Sequence, residues 1–250
     1  MRLAWEAHGD GAPVLLVHGL GYTRQGWGPL RGLLARRFRV LSYDNRGIGE
    51  SEIPPGPYTV AALAEDAAGV LDAAGVERAH VIGASLGGMA AQLLAAEQPE
   101  RFERLVLVGT TPGGAGAYPL PQQTLALMAE AASLPPEVAL RRFVENALAP
   151  GSPLVDEVFA YRQQHPPDPA GWAAQAAAGA SWDADGRLAR IVAPTLVVAG
   201  TADAVVDPRN AQLLADAIPG AKLELVDGAG HLPFWERPGE FAALVERFLA

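Results

Sequence analysis

The stretch Gly83-Ala84-Ser85-Leu86-Gly87 decides the fold, because it places one serine between two glycines where an apolar segment runs into a helix-forming one. The residues before it, 79–82, are typical of a strand, and residues 88–96 favour a helix. A serine in so sharp a turn adopts strained backbone angles, and only glycine neighbours let strand and helix pass that closely. This context is typical of a nucleophile elbow, with the helix N-terminal amides favouring an oxyanion beside Ser85.

A serine hydroxyl is a poor nucleophile until a base takes its proton, and the chain offers five histidines. His231 is the strongest candidate, since its loop follows the apolar strand 222–226 and strand ends are where such a sheet carries chemistry. His18 is the rival, but its place directly after the strand 13–17 suits shaping a loop. The other three lie in a predicted buried strand or lack a motif: His80, His8 and His165.

The third group in such a site is a carboxylate that orients the imidazole, and the chain order Ser, Asp, His directs the search between Ser85 and His231. Asp203 and Asp207 both follow the apolar strand 194–199. Asp207 has a structural explanation as the N-cap of a helix whose first position is proline. Asp203 has none, so the sequence favours Asp203 as the catalytic acid.

These motifs together resemble those of the serine members of the α/β-hydrolase superfamily, over essentially the whole chain. The segments that carry the resemblance, beyond the elbow, are His18-Gly19-Leu20-Gly21, Asp44 to Ser51, Gly200-Thr201-Ala202-Asp203 and Gly228-Ala229-Gly230-His231. The resemblance implies that the backbone N–H groups of Leu20 and Leu86 form the oxyanion hole, that the turn 44–51 is structural, and that no cofactor is required. Members with an aspartate nucleophile are disfavoured because position 85 is serine.

The order of segments predicts an α/β fold with a mostly parallel sheet, helices on both faces and an inserted all-helical cap. Apolar strands alternate with helices up to Val108, a rhythm that implies parallel pairing. Alanine-rich helical segments broken by prolines then fill residues 112–187. We therefore expect a hydrolase core at 1–111 and 188–250 with a cap at 112–187, the alternative being an independent helical subdomain.

The expected pocket is apolar. Trp27 and Leu232 adjoin the motif positions and are predicted to contact substrate, together with Leu20 and Leu86. Aromatic residues of the cap could line the same cavity, although such residues more often hold helices together: Phe143, Phe159, Tyr161, Trp172 and Trp182. An apolar pocket favours an uncharged acyl group.

Length and composition agree with a single soluble enzyme. A chain of 250 residues fits one domain, and the absence of cysteine excludes disulfides and thiolate metal sites. The N-terminus has no apolar core of signal-peptide length, so we expect a cytoplasmic protein. The net charge of −9 would repel phosphate backbones and anionic membranes, which makes nucleic-acid or membrane binding unexpected. Oligomeric state is left open.

The sequence predicts hydrolysis of carboxylic esters with short to medium acyl chains, through an acyl-enzyme on Ser85. An enol-lactonase is the first alternative, since Gly19-Leu20-Gly21 and the short cap look like those enzymes; a carboxylate-bearing lactone would need a cap arginine, with Arg141, Arg142 and Arg162 available. Carbon–carbon bond hydrolases of this family usually follow the histidine with tryptophan, whereas here Leu232 follows it. A hydrolase-fold receptor that binds a small molecule and turns over slowly is the alternative of another class.

Overall fold

The computed structural model describes residues 1–131 and 133–250, and its centre is a seven-stranded sheet. The strands are β1 (Trp5–His8), β2 (Ala12–Val17), β3 (Phe38–Tyr43), β4 (Ala79–Ala84), β5 (Phe102–Val108), β6 (Thr195–Gly200) and β7 (Lys222–Val226). Their order across the sheet is β1-β3-β2-β4-β5-β6-β7. Among the seven strands of the described residues, β1 pairs antiparallel with β3 and the other neighbours are parallel. The predicted mostly parallel α/β sheet is confirmed.

The central strands are continuous apolar runs because helices cover both faces of the sheet. All six residues of β4 are buried, as are all six of β6. Strand β1 has no counterpart in the sequence prediction. It is a four-residue edge strand with two exposed positions, so it carries neither a long apolar run nor a full alternation.

Ten helices accompany the sheet in the described residues, and several of them pack on its two faces. They are α1 (Pro29–Leu34), α2 (Val60–Ala73), α3 (Leu86–Glu97), α4 (Gln122–Ala131), α5 (Pro136–Ala147), α6 (Val155–Gln164), α7 (Pro169–Ala180), α8 (Arg209–Ala217), α9 (Pro233–Glu236) and α10 (Pro238–Leu249). One core cluster joins Leu15 of β2 to α2, α3 and α8, and a second joins Leu16 to α1 and α10. Successive strand residues thus face opposite helical layers.

The segment between β5 and β6 is helical, as the break in the strand rhythm predicts. Helices α4 to α7 occupy it, and an isolated antiparallel bridge pairs Gly113 with Asp183 near its two ends. In the described part of 112–187, this single bridge is the whole of the β pairing, and no strand occurs there. Across residues 1–131 and 133–250, no helix combines the length and the hydropathy that crossing a bilayer would need.

Candidate active site

Ser85 lies in the turn between β4 and α3, in the strained conformation that the elbow predicts. Its backbone has φ 54° and ψ −121°, an arrangement that L residues rarely adopt. The turn is fixed because Ser85 N–H donates to Val108 C=O at 2.9 Å, and Ser85 C=O accepts from Gly88 N–H at 2.9 Å. A Cβ on Gly87 would fall 2.1 Å from Val17 O, so only glycine fits there. Helix α3 begins at once after Ser85, two residues earlier than predicted.

Asp203 and His231 are joined by a direct hydrogen bond. Asp203 Oδ2 lies 2.7 Å from His231 Nδ1, while Asp203 Oδ1 accepts from the N–H groups of Val205 and Val206 at 2.8 and 2.9 Å. An ionised carboxylate can only accept, so Nδ1 carries the hydrogen of this bond, and in the neutral form of the imidazole the lone pair is then on Nε2. The arrangement therefore leaves Nε2 free to take a proton.

Gly109 brings this pair next to Ser85. Strands β4 and β5 pair Ala84 with Val108, so Ser85 and Gly109 leave the two neighbouring strands side by side. A Cβ on Gly109 would lie 3.0 Å from His231 Nδ1 and 3.2 Å from Asp203 Oδ2. The three residues chosen from the sequence thus converge on one edge of the sheet, at the carboxyl ends of β4 to β7.

The rival residues lie in other environments. Asp207 pairs with Arg209 and accepts from the Arg209 N–H at 3.0 Å, but the N-cap of α8 is Pro208, so the helix starts one residue later than the sequence predicts. His18 is 2 % exposed, and burial lowers its pKa to about 3. Its Nδ1 accepts from Gly19 N–H at 2.7 Å, so His18 is a neutral residue that shapes its own loop. His80 is buried in β4, as expected.

The loop from His18 to Tyr22 runs beside the serine. A Cβ on Gly19 would fall 2.9 Å from Ser85 Cβ and 3.5 Å from Ser85 Oγ. Leu20 is the next residue and is partly buried. Leu86 is the first residue of α3, so its N–H has no acceptor within the helix. The two leucine amides singled out from the resemblance therefore belong to segments that adjoin Ser85 from two sides.

The two predicted substrate contacts lie deep in the protein. Trp27 is 0 % exposed and packs against His18 and Phe234, with ring centroids 4.7 and 4.8 Å apart. Leu232 is 2 % exposed, in the same cluster. Both stay predictions as substrate contacts, and their packing shows that they also form the core behind the loop.

The three arginines named from the sequence of the helical segment between β5 and β6 make different contacts. Arg141 pairs with Asp156 at 2.7 Å and Arg142 with Glu130 at 2.7 Å, both on the surface. Arg162 is 8 % exposed, donates to Gly21 C=O at 2.8 Å and stacks its guanidinium 4.3 Å from the centre of the Tyr22 ring. Within the described residues it has no carboxylate within ion-pair distance.

The histidine loop is tied to the helical segment between β5 and β6 through a carboxylate that sequence reasoning missed. Glu236 accepts from Gly230 N–H and from Ala149 N–H, each at 2.6 Å, and burial raises its pKa. His231 N–H also donates to Ala147 C=O at 2.8 Å. The only sequence signal is an acidic residue in the short helix after His231, which is too common to single out.

A second residue missed from the sequence is Gln175 of α7. It is fully buried, its Oε1 accepts from Gly21 N–H at 3.1 Å and its Nε2 donates to Arg46 C=O at 2.7 Å. Nothing in the alanine-rich sequence of α7 distinguishes this glutamine. No group of acidic residues and histidines arranged to hold a metal ion occurs within the described residues.

A family model described as alpha/beta hydrolase fold matches residues 12–238, which is most of the chain and includes Ser85, Asp203 and His231. The chain belongs to the α/β-hydrolase family. The resemblance inferred from the motifs is thereby confirmed at the level of the family.

Related proteins of this family have several hydrolytic activities by name. The 2-hydroxy-6-oxo-6-phenylhexa-2,4-dienoate hydrolase of Comamonas testosteroni is 31% identical, over 96% of this chain and 88% of its own. The enol-lactonase of Burkholderia xenovorans LB400 is 30% identical with a TM-score of 0.86, covering 99% of this chain and 96% of that one. A thermophilic esterase of Thermogutta terrifontis is 30% identical with a TM-score of 0.84, covering 99% and 92%. The chain therefore belongs to a family of hydrolases.

Proposed function

We propose that this hydrolase cleaves carboxylic esters with short to medium acyl chains, using Ser85 as nucleophile, His231 as base and Asp203 as the orienting acid. The observation that carries the proposal is the 2.7 Å bond between Asp203 Oδ2 and His231 Nδ1, formed beside the strained serine. That bond fixes the tautomer in which Nε2 can accept the serine proton.

The reaction follows from this assignment. Ser85 Oγ attacks the ester carbonyl while His231 Nε2 takes its proton, and the same proton then passes to the leaving alcohol. Water, deprotonated in turn by His231, attacks the acyl-enzyme and releases the acid with Ser85 restored. The tetrahedral oxyanion is stabilised by the N–H groups of Leu20 and Leu86, each worth roughly 3 to 4 kcal/mol in such sites.

A chain-length series tests the substrate class. Each added methylene gains about 0.8 kcal/mol of burial until a closed pocket is full, after which activity falls. We expect kcat/KM for p-nitrophenyl acetate, butyrate, hexanoate, octanoate and palmitate to peak between butyrate and octanoate. Negligible turnover throughout, with tight binding of a small molecule, would instead support the receptor alternative.

A second candidate, hydrolysis of an enol-lactone that bears a carboxylate, is favoured by Arg162. Its guanidinium is buried next to the loop that carries Leu20, and within the described residues it contacts a carbonyl and an aromatic face rather than a carboxylate. A buried arginine binds a planar carboxylate well, because two parallel N–H groups can donate to it. The enol-lactonase among the similar structures supports the same choice.

The two candidates separate on one ratio. The measurement compares kcat/KM for a carboxylate-bearing enol-lactone with that for its neutral methyl ester, in the wild type and in Arg162→Gln. Loss of the charge-assisted pair with the substrate carboxylate should lower this ratio roughly 10- to 100-fold. A general disturbance of the loop would lower kcat/KM for both substrates and would cancel in the ratio. Arg142→Gln, which removes a surface arginine of the same cap, should leave the ratio unchanged. An unchanged ratio in Arg162→Gln excludes the carboxylate role.

A further inference from the structure

Both backbone polar groups of Gly21 are held by side chains of the helical segment between β5 and β6. Gly21 N–H donates to Gln175 Oε1 at 3.1 Å, and Gly21 C=O accepts from Arg162 Nη1 at 2.8 Å. Gly21 follows directly after Leu20. The backbone next to the proposed oxyanion donor is therefore supported by residues of α6 and α7 rather than by the sheet.

The held peptide is the middle one of a tight turn. Tyr22 N–H donates to Gly19 C=O at 3.4 Å, which makes Leu20 and Gly21 the two central residues. Gly21 has φ +70°, whereas Leu20 is not among the residues with positive φ, so the turn is of type II. Turns of types I and II differ by a flip of this middle peptide, and a fixed acceptor for Gly21 N–H selects one of them.

Gln175 is built to be such a fixed acceptor. Its side chain is 0 % exposed, and its other end donates to Arg46 C=O at 2.7 Å, so both ends are held. Trp172, three residues earlier on the same helix face, contacts the same glycine, since a Cβ on Gly21 would lie 2.7 Å from Trp172 Cδ1. Helix α7 is thus in direct contact with the turn.

We propose that Gln175 is a positioning residue for the reaction. By fixing the Leu20–Gly21 peptide it holds the turn closed, and the turn bond from Tyr22 N–H to Gly19 C=O orients the preceding Gly19–Leu20 peptide, whose N–H is the Leu20 donor that stabilises the oxyanion. This inference rests on the proposed serine mechanism. It makes the helical segment a part of the catalytic apparatus and not only a wall of the pocket. An error of about 1 Å in such a donor lowers the rate far more than it lowers substrate binding.

The test replaces Gln175 by methionine, which keeps the length and removes both hydrogen bonds. We expect kcat for p-nitrophenyl butyrate to fall roughly 10- to 100-fold with KM changed less than about twofold, because the lost interaction acts mainly in the transition state. The affinity for a trifluoromethyl ketone, which forms an oxyanion on the serine, should fall by the same factor as kcat/KM. Gln175→Glu, which keeps an acceptor for Gly21 N–H, should recover most of the rate.

The matched control is Gln163→Met, the same change at an exposed glutamine of α6, which should behave as wild type. An unchanged kcat in Gln175→Met, or a raised KM with unchanged kcat, overturns the positioning role. So does a loss of kcat without a parallel loss of ketone affinity, which would indicate a general structural defect.

Hydrogen exchange separates this inference from the proposed function. Peptides that contain residues 19–22 should exchange faster in Gln175→Met than in the wild type, whether or not the enzyme turns over any ester, and unchanged exchange overturns the inference. If hydrolysis instead survives Ser85→Ala, the proposed function fails, and the exchange rates still decide whether Gln175 orders the turn.

Discussion

Two loops flank Ser85, the acid loop at Asp203 and the turn at Gly21, and they differ in how far along the chain their hydrogen-bond partners lie. The acid loop closes on itself, since Asp203 Oδ1 accepts from Val205 and Val206 within three residues of its own chain. The turn at Gly21 takes its partners from Arg162 and Gln175, 141 and 154 positions further along. Both loops contribute to the same proposed site beside Ser85.

The difference assigns the two halves of the site to different parts of the fold. The proposed acid–base half is held where β6 and β7 end, with Thr201 N–H and Ala202 N–H bonded to Val226 C=O and Ala229 C=O, and by the end of α5, where Ala147 C=O accepts from His231 N–H. The proposed oxyanion half depends on the docking of α6 and α7. A change in that docking should therefore alter stabilisation of the oxyanion while leaving the Asp203–His231 bond in place.

The largest expected effect tests whether both halves serve Ser85. Ser85→Ala should lower kcat for p-nitrophenyl butyrate roughly 10⁵- to 10⁶-fold with the fold intact, because removal of the nucleophile disables the whole catalytic unit. Labelling by a fluorophosphonate should disappear, whereas Ser181→Ala, at an exposed serine after α7, should label fully. Full labelling of Ser85→Ala would place the chemistry elsewhere and remove the basis of the comparison.

The next effect addresses the proposed acid–base half. Asp203→Asn should lower kcat roughly 10⁴-fold, because the imidazole loses the partner that fixes its tautomer. Asp207→Asn should change kcat little, since asparagine serves a helix start nearly as well. Steady-state kinetics of the two variants on the same ester decide the matter. Exchanged phenotypes would mean that the acid was assigned to the wrong side of the loop.

The sequence was sufficient where the determinants are local. The Ser85 elbow, the His231 loop and the strands β2 to β7 each show in a run of neighbouring residues, because a strand end and a tight turn constrain the residues that form them. The choice of Asp203 over Asp207 also rested on a local argument, an N-cap at Asp207; the structure places the N-cap at Pro208, one residue later, although Asp207 still accepts from the Arg209 N–H of the first helical residue.

The rest could not be predicted because its partners are distant in the chain. Three arginines of the helical segment between β5 and β6 were equivalent in the sequence, and only the folded structure places Arg162 on Gly21 while Arg141 and Arg142 pair with surface acids. Gln175 lies in a helix otherwise composed mostly of alanine and glycine, with no motif around it. Long-range pairing of single polar residues leaves no periodic signal.

A pH experiment sharpens the comparison at His18, which begins the non-local loop. Burial lowers the folded pKa of His18 to about 3 from 6.5, so below pH 6.5 the unfolded chain takes up a proton that the folded chain does not. The free energy of unfolding should therefore fall as pH falls from 6.5 toward 3, by roughly 2 to 3 kcal/mol between pH 6.5 and 4.5. Urea unfolding of the wild type and of His18→Gln isolates this contribution. The free energy of unfolding of the wild type minus that of the variant should fall by that amount between pH 6.5 and 4.5. A constant difference would mean that His18 is accessible to protons in the folded loop.

The smallest expected effect tests the docking of α7 directly, through two glycines that lie in helices. Alanine is the better helix former by about 1 kcal/mol, so Gly→Ala should stabilise unless the methyl group meets another atom. An added Cβ at Gly69 of α2 meets no atom of the described residues within 4 Å beyond its own helix backbone, and Gly69→Ala should raise the free energy of unfolding by about 0.5 to 1 kcal/mol. At Gly171 of α7 the new Cβ would fall 2.0 Å from Gly47 O, so Gly171→Ala must move the helix and should lower that free energy by roughly 1 to 3 kcal/mol.

Because the displaced helix carries Gln175, the same variant should also lose kcat without losing the Asp203–His231 bond, whose downfield proton resonance can be followed by NMR. A stabilised Gly171→Ala with full activity would mean that α7 is free to shift against the core loops, and that the two halves of the site are less different than their contacts indicate.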